Sequence, residues 1–341
     1  MVGGIVAILL TAFLLFAAFY KFPNVVFLPG SADSVGQRLR VEKSESYQPQ
    51  GKILWATVSQ VVEPRFIDMV DAWLRDDVDI VRKKEVLGDA TPAENRKFNQ
   101  DLMDNSKQVA AVVAARRLGI PTSGGAIRIL DVDLKAPAAK ILKADDEIVT
   151  IDGQPLCLVG DLQRVFAAYD ERSKPRFGIR RGGKGPIVEV QVPLVRLDSG
   201  RMIVGMFAGP SESAPCSTPF GVSIRTGAIG GPSAGLAMTL ALLDQLTEGE
   251  LTGGKIVAAT GTIEADGSVG LVGGVKQKTF AVKKAKAVLF LVPKDEAADA
   301  KKYAGAMKVV GVDTLDEALL ALRAIGGDAL PPTSVGQLGD L

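Results

Sequence analysis

The sequence predicts an α+β chain of several domains: an N-terminal transmembrane helix, a small β domain and a C-terminal α+β domain. Three observations carry that expectation. A charge-free apolar run from Val2 to Tyr20 opens the chain. Further along, apolar periodicity switches from strand-like runs to three-and-four helical spacing and back. The length, 341 residues, accommodates two or three domains, and a 47% hydrophobic share supplies their cores.

The elements follow in order. At 1.5 Å per residue, the run from Val2 to Tyr20 would span roughly 28 Å as a helix, close to a hydrocarbon core. Tyr20 and Lys21 suit the interface, and no small-x-small cleavage site precedes Pro23. Residues 1–21 are therefore expected to be an uncleaved single-pass anchor. Lys21, Arg38, Arg40 and Lys43 follow it. That bias alone would keep the bulk of the chain in the cytoplasm, although large domains translocate regardless of it.

Residues 22–119 read as a linker, a strand and a helical region. The Pro/Gly/Ser-containing stretch 22–50 is expected to be the linker. Ile53–Val62 is β-rich and reads as a strand. Phe66, Met69, Val70, Trp73 and Leu74 recur at helical spacing. Thr91-Pro92-Ala93-Glu94 sets a cap, a proline at the first helical position and an acid in the first turn. The helix this opens should run to Leu118 and stop at Gly119.

Residues 120–200 return to β character. Strands are expected over Ala126–Val132, Glu147–Ile151, Arg176–Arg180 and Ile187–Val192, with a helix over Asp161–Tyr169. The run APAAKILKADDEIVTIDGQPL followed by GDLQRVF resembles a PDZ domain, with Asp145 standing where that family has glycine. The resemblance implies peptide binding by addition of a strand to a sheet edge. It places the groove between the Ile127–Val132 strand and the Asp161–Tyr169 helix. Gly124 and Gly125 would offer N–H groups to a carboxylate, and Ile127 and Ile129 would line the strand.

The chain has no histidine. That excludes Ser-His-Asp and Cys-His catalysis and every histidine-ligated metal site. No C-x-x-C is present, which excludes a zinc ribbon or a thioredoxin-type motif, and no metal or cofactor is expected. The spacing of the two cysteines, Cys157 and Cys216, is compatible both with two unpaired side chains and with a disulfide. The net charge of +1 and the lack of a basic run argue against a nucleic-acid partner. A serine nucleophile in this chain would need another base, and lysine is the leading one.

Gly230-Gly231-Pro232-Ser233-Ala234-Gly235 delivers a serine on a tight turn to the start of an apolar helix, where free N–H groups can hold an oxyanion. Gly273-Gly274-Val275-Lys276-Gln277-Lys278 opens another helix. Between them lies a strand, Lys255–Thr262, and Val288–Val292 follows as a buried strand ending at Pro293. In that order these motifs resemble the proteolytic domain of Lon-type peptidases, over about residues 201–330, with 331–341 as a tail. With the PDZ-like stretch and the anchor, the arrangement resembles bacterial membrane-anchored PDZ-containing Lon-like proteases.

That resemblance implies a Ser/Lys dyad. Ser233 would be the nucleophile, Lys278 the base and Thr260 the residue orienting the lysine, with Gly231, Pro232 and Ala234 forming the nucleophile and oxyanion loop. Lys276 is a rival base, two residues away and so on another side of the helix. Gly230 and Ser223 stand where the family often has an acid and a histidine. The nearest P-loop mimic, Gly249–Ile256, has Ile256 where Mg²⁺ binding needs Ser or Thr, so ATP-independent cleavage is expected. Protein or peptide substrates, a homo-oligomer and a catalytic domain outside the cytoplasm are further implications. The competing reading is an inactive, membrane-tethered PDZ scaffold.

Overall fold

The computed structural model describes residues 5, 8–11, 17–42 and 44–330. The expected anchor, residues 1–21, lies largely outside the described residues, as does the tail 331–341. Among the described residues, no helix is long and apolar enough to cross a membrane.

From Phe22 the chain forms β1 (Asn24–Ser34), β2 (Leu39–Glu42), β3 (Lys52–Val62), α1 (Phe66–Trp73), β4 (Asp79–Arg82), α2 (Lys83–Leu87) and α3 (Pro92–Arg117). A β module follows: β5 (Ile127–Val132), β6 (Glu147–Ile151), β7 (Gln154–Pro155), α4 (Asp161–Phe166), β8 (Arg176–Arg180), β9 (Ile187–Gln191), β10 (Val195–Arg196), β11 (Met202–Ile203) and β12 (Met206–Pro210). The rest comprises β13 (Gly221–Ile224), α5 (Gly235–Leu246), β14 (Ile256–Ala259), β15 (Thr262–Ile263), β16 (Val269–Gly270), α6 (Val275–Lys284), β17 (Leu289–Pro293), α7 (Ala297–Ala304), β18 (Lys308–Val312) and α8 (Leu315–Arg323).

The larger sheet has the order β18-β17-β14-β3-β1-β4. Its β18, β17, β14 and β3 run parallel, and β1 and β4 add antiparallel. Successive strand residues face opposite sides, so both faces can be covered. Ile53, Trp55, Val257 and Leu291 pack into one core with α3, α5 and α8. Leu54, Ala56, Ala258 and Phe290 pack into the other with α6 and α7. Because β3 pairs with β14, residues before and after the β module build one domain, and the module is an insertion.

The stretch read as a linker contains β1. Pro29 and Gly30 mask its strand pattern, and they lie at the break in its register against β3, between Pro29 and Ala32. A Cβ on Gly30 would fall 2.3 Å from Thr57 Oγ1, so glycine permits the close approach. The helical region holds a two-turn α1, the edge strand β4 and the long α3. At the start of α3, Thr91 Oγ1 accepts from Glu94 N–H while the Glu94 carboxylate accepts from Thr91 N–H, a reciprocal cap.

The β module is antiparallel, ordered β12-β5-β6-β8-β9, over its own core of Ile127, Ile129, Ile148, Phe166 and Phe177. Its last strand, Met206–Pro210, carries it beyond the boundary expected at residue 200. Asp145 adopts φ +68°, the left-handed backbone a glycine would supply, and Arg128 holds its carboxylate at 2.5 Å.

The predicted peptide-binding residues require a correction. The β5 strand is not an edge: β12 pairs with it on one side and β6 on the other. Ile127 and Ile129 are fully buried. A Cβ on Gly125 would approach Leu156 O to 2.9 Å, and Ser123 pairs with Ser217 across the neighbouring bridge. Gly125 thus sits packed against Leu156 and Cys157, while Gly124 is exposed. The terminal strands of this sheet are β12 and β9.

The junction is built from few parts. Arg116, in the last turn of α3, grips the fully buried Asp161 carboxylate with two bonds of 2.7 and 2.9 Å. The same carboxylate accepts from the N–H groups of Cys157 and Leu158. Burial opposes its charge, yet Arg116 and these amides hold its pKa below the usual aspartate value. Val112, Leu158 and Cys216 form a small apolar cluster beside it. Cys157 and Cys216 are disulfide-bonded, with Cα atoms 4.9 Å apart.

Candidate active site

Ser233 precedes α5, whose residues from Gly235 to Gln245 are all buried. Such a helix is fixed by packing, so the turn before it is fixed as well. The Ser233 carbonyl accepts from Gly261 N–H at 3.0 Å and from Thr260 Oγ1 at 3.1 Å. Thr260, fully buried, sits just past β14. Lys278 lies on the first turn of α6, after Gly274, whose φ of +69° starts the helix. A Cβ there would meet Val58 at 2.7 Å.

Lys278 Nζ donates to Thr260 Oγ1 at 3.1 Å. One hydroxyl therefore links the lysine to the backbone of Ser233. The lysine is 3% exposed. Burial pushes its pKa down to about 8, against an opposing pull from Glu296. About a tenth of the amine is then neutral at pH 7.

Ser233 and Lys278 line one cleft of about 720 Å³, together with Gly231, Pro232 and Ala234. Lys276 is engaged elsewhere, donating to Asp79 at 2.9 Å and to Val78 O at 3.1 Å. The P-loop mimic is a turn leading into β14, and its Lys255 donates to the carbonyl of Ile325.

Several cleft residues escaped the sequence reading. Asn99 of α3 accepts from Gly231 N–H through its carbonyl at 2.7 Å. Ser106, two turns on, donates to Pro232 O at 3.1 Å. A Cβ on Gly230 would lie 2.9 Å from Asn99 Cβ, which explains why glycine stands at this position. Asp79 of β4 accepts from Gln277 Nε2 at 2.7 Å, and Gln277 Oε1 is buried without a partner. These residues come from distant elements; only the helical spacing around Met103 and Ser106 hinted that α3 faces the site. Among the described residues no cluster could hold a metal ion.

Residues 220–323 match the family model of the Lon protease (S16) C-terminal proteolytic domain. The chain is 39% identical over 93 residues to the Lon protease of Clostridioides difficile, covering 26% of this chain and 12% of that protein. It is 37% identical over 124 residues to that of Trichlorobacter lovleyi, 33% of this chain and 15% of the relative. Against the Lon protease of Lachnoclostridium phytofermentans it is 26% identical over 246 residues, 67% of this chain and 29% of the relative. The chain thus spans less than a third of the length of each. The C-terminal domain is thus similar to the proteolytic domain of Lon proteases.

Among solved structures, the PDZ domain of the SdrC-like protein from Listeria monocytogenes aligns over 24% of this chain and 85% of that domain, at 19% identity and a TM-score of 0.23. That of Listeria innocua aligns over 24% and 92%, at 24% identity and the same TM-score.

Proposed function

We propose that this chain is an ATP-independent serine endopeptidase with a Ser/Lys dyad, held to the cell membrane by its N-terminal segment. The carrying observation is the buried Lys278 amine, tied through Thr260 to the Ser233 backbone in one cleft. Neutral Lys278 takes the proton of the Ser233 hydroxyl as the oxygen attacks a peptide carbonyl. Backbone N–H groups of the turn around Ser233 would hold the oxyanion. The lysine then protonates the leaving amine, and water resolves the acyl-enzyme with Lys278 again as base.

The β module would hold extended peptides, with β12 as the sheet edge to which a strand can add. Substrates would be unfolded or membrane-associated segments, and the catalytic domain would face away from the cytoplasm as part of a homo-oligomer. The test is labelling of the full chain with a fluorophosphonate, alongside cleavage of an unfolded protein. Labelling and cleavage, both lost in Ser233→Ala, are expected. A correctly folded chain that neither labels nor cleaves would instead be a tethered scaffold.

A further inference from the structure

The helix α1 is apolar on the side it buries and on the side it presents. Met69 and Ala72 enter a satellite core with Val26 and Val78. Ile67 and Trp73, and Leu74 just beyond the helix, remain 67%, 61% and 81% exposed. Asp71, on that outer side, lies 3.4 Å from Arg75, which pairs more closely with Asp77 at 2.9 Å. The result is an aromatic and aliphatic face beside acidic side chains, on a helix whose inner side is already anchored.

Its position identifies what covers it. Phe22 N–H donates to Pro64 O at 2.9 Å, and Lys21 bridges Arg65, the residue before α1. The uncharged run from Val2 to Tyr20 therefore joins the fold beside the first turn of α1. The described apolar residues of that run are also exposed: Ile8, Leu9, Leu10 and Phe19. Tyr20 meets Phe22 edge-on at 5.0 Å, so aromatic rings continue from the run toward α1.

We propose that Ile67, Trp73 and Leu74 dock α1 into the interfacial layer of a lipid bilayer. Tryptophan with flanking aliphatic side chains favours that layer, and the neighbouring apolar run keeps the face at its level. This inference rests on the membrane attachment proposed above. It also narrows the substrate class. The chain passes from Trp73 and Leu74 through Val78 to Asp79, which lines the cleft. One wall of the site is thus tethered to the lipid-facing helix, favouring juxtamembrane segments of membrane proteins.

The chain has two tryptophans: Trp55, 1% exposed in the core, and Trp73. The full chain is reconstituted in phosphatidylcholine vesicles with or without bromine near the headgroup end of the acyl chains, and attachment is checked by flotation. Docking predicts about two-fold lower emission in the brominated vesicles, a loss abolished in Trp73→Phe and reduced in Leu74→Ser. Equal emission in both vesicle types from a chain that floats would overturn the docking and leave the attachment standing. A chain that does not float would overturn both. Trp73 shielded from aqueous iodide yet insensitive to bromolipid would assign the face to a second copy and overturn the lipid proposal.

Discussion

The Lys278 amine reaches Ser233 through a third residue: its nitrogen lies 3.1 Å from the Thr260 hydroxyl, which donates to the Ser233 carbonyl at the same distance. Removing that hydroxyl leaves the lysine buried without its partner. Thr260→Val should lower kcat/KM by roughly 10- to 100-fold, with an altered pH profile, while Thr260→Ser restores most of the activity. Equal pH–rate curves for wild type and Thr260→Val would count against an orienting role.

As the proposed base, Lys278 would act only when neutral. With its pKa pushed down to about 8, peptide cleavage should rise about tenfold per pH unit below that value and level off above it. A flat profile between pH 5 and 9 would contradict a lysine base.

The same depression has a stability sign. Its folded value is below the ordinary lysine value of 10.5, so the unfolded chain binds more protons between the two. Stability therefore rises with pH across roughly 8 to 10.5, and below 8 the full cost of the buried charge is felt. Lys278→Met should be inactive yet more stable at pH 7, by on the order of 2 kcal/mol, as read from urea denaturation.

Gly230 sits where α3 comes closest to the nucleophile turn. Gly230→Ala forces its new methyl against Asn99 and strains the adjoining 2.7 Å bond from Gly231 to the Asn99 carbonyl. Activity should fall at least about tenfold with little change in thermal stability, because the turn is half-exposed.

At the junction, Arg116→Met would strand the Asp161 carboxylate in a dry site. A loss of about 3 kcal/mol is expected at pH 7. The carboxylate's pKa is lowered in the fold, so its contribution is present above the ordinary value near 3.8 and fades as pH falls through the folded one. The wild-type and Arg116→Met denaturation midpoints should converge in strong acid.

What could be read from the sequence is what lies close together along it. The Ser233 turn, Thr260-Gly261 and the Lys278 helix start are each short local patterns, and Thr91 with Glu94 marks the start of α3 by chemistry three residues apart. What could not be read comes from packing between distant segments. Asn99 touches Gly231 only because α3 crosses α5, and Asp79 meets Gln277 only because β4 is the far strand of the large sheet. The β12 strand is five residues with a glycine and a proline, too short and irregular to announce itself, so the sequence points to β5 as a sheet edge although it lies one strand inward. Gly30 concealed β1 in the same way.

The parallel pairing of β3 with β14 also governs the order of assembly. Half of β3 waits for a neighbour that is made only after the whole insertion has left the ribosome, whereas β5 to β12 close upon themselves. The inserted unit can therefore mature first, while Ser233 and Lys278 come together only once the last helices are synthesised.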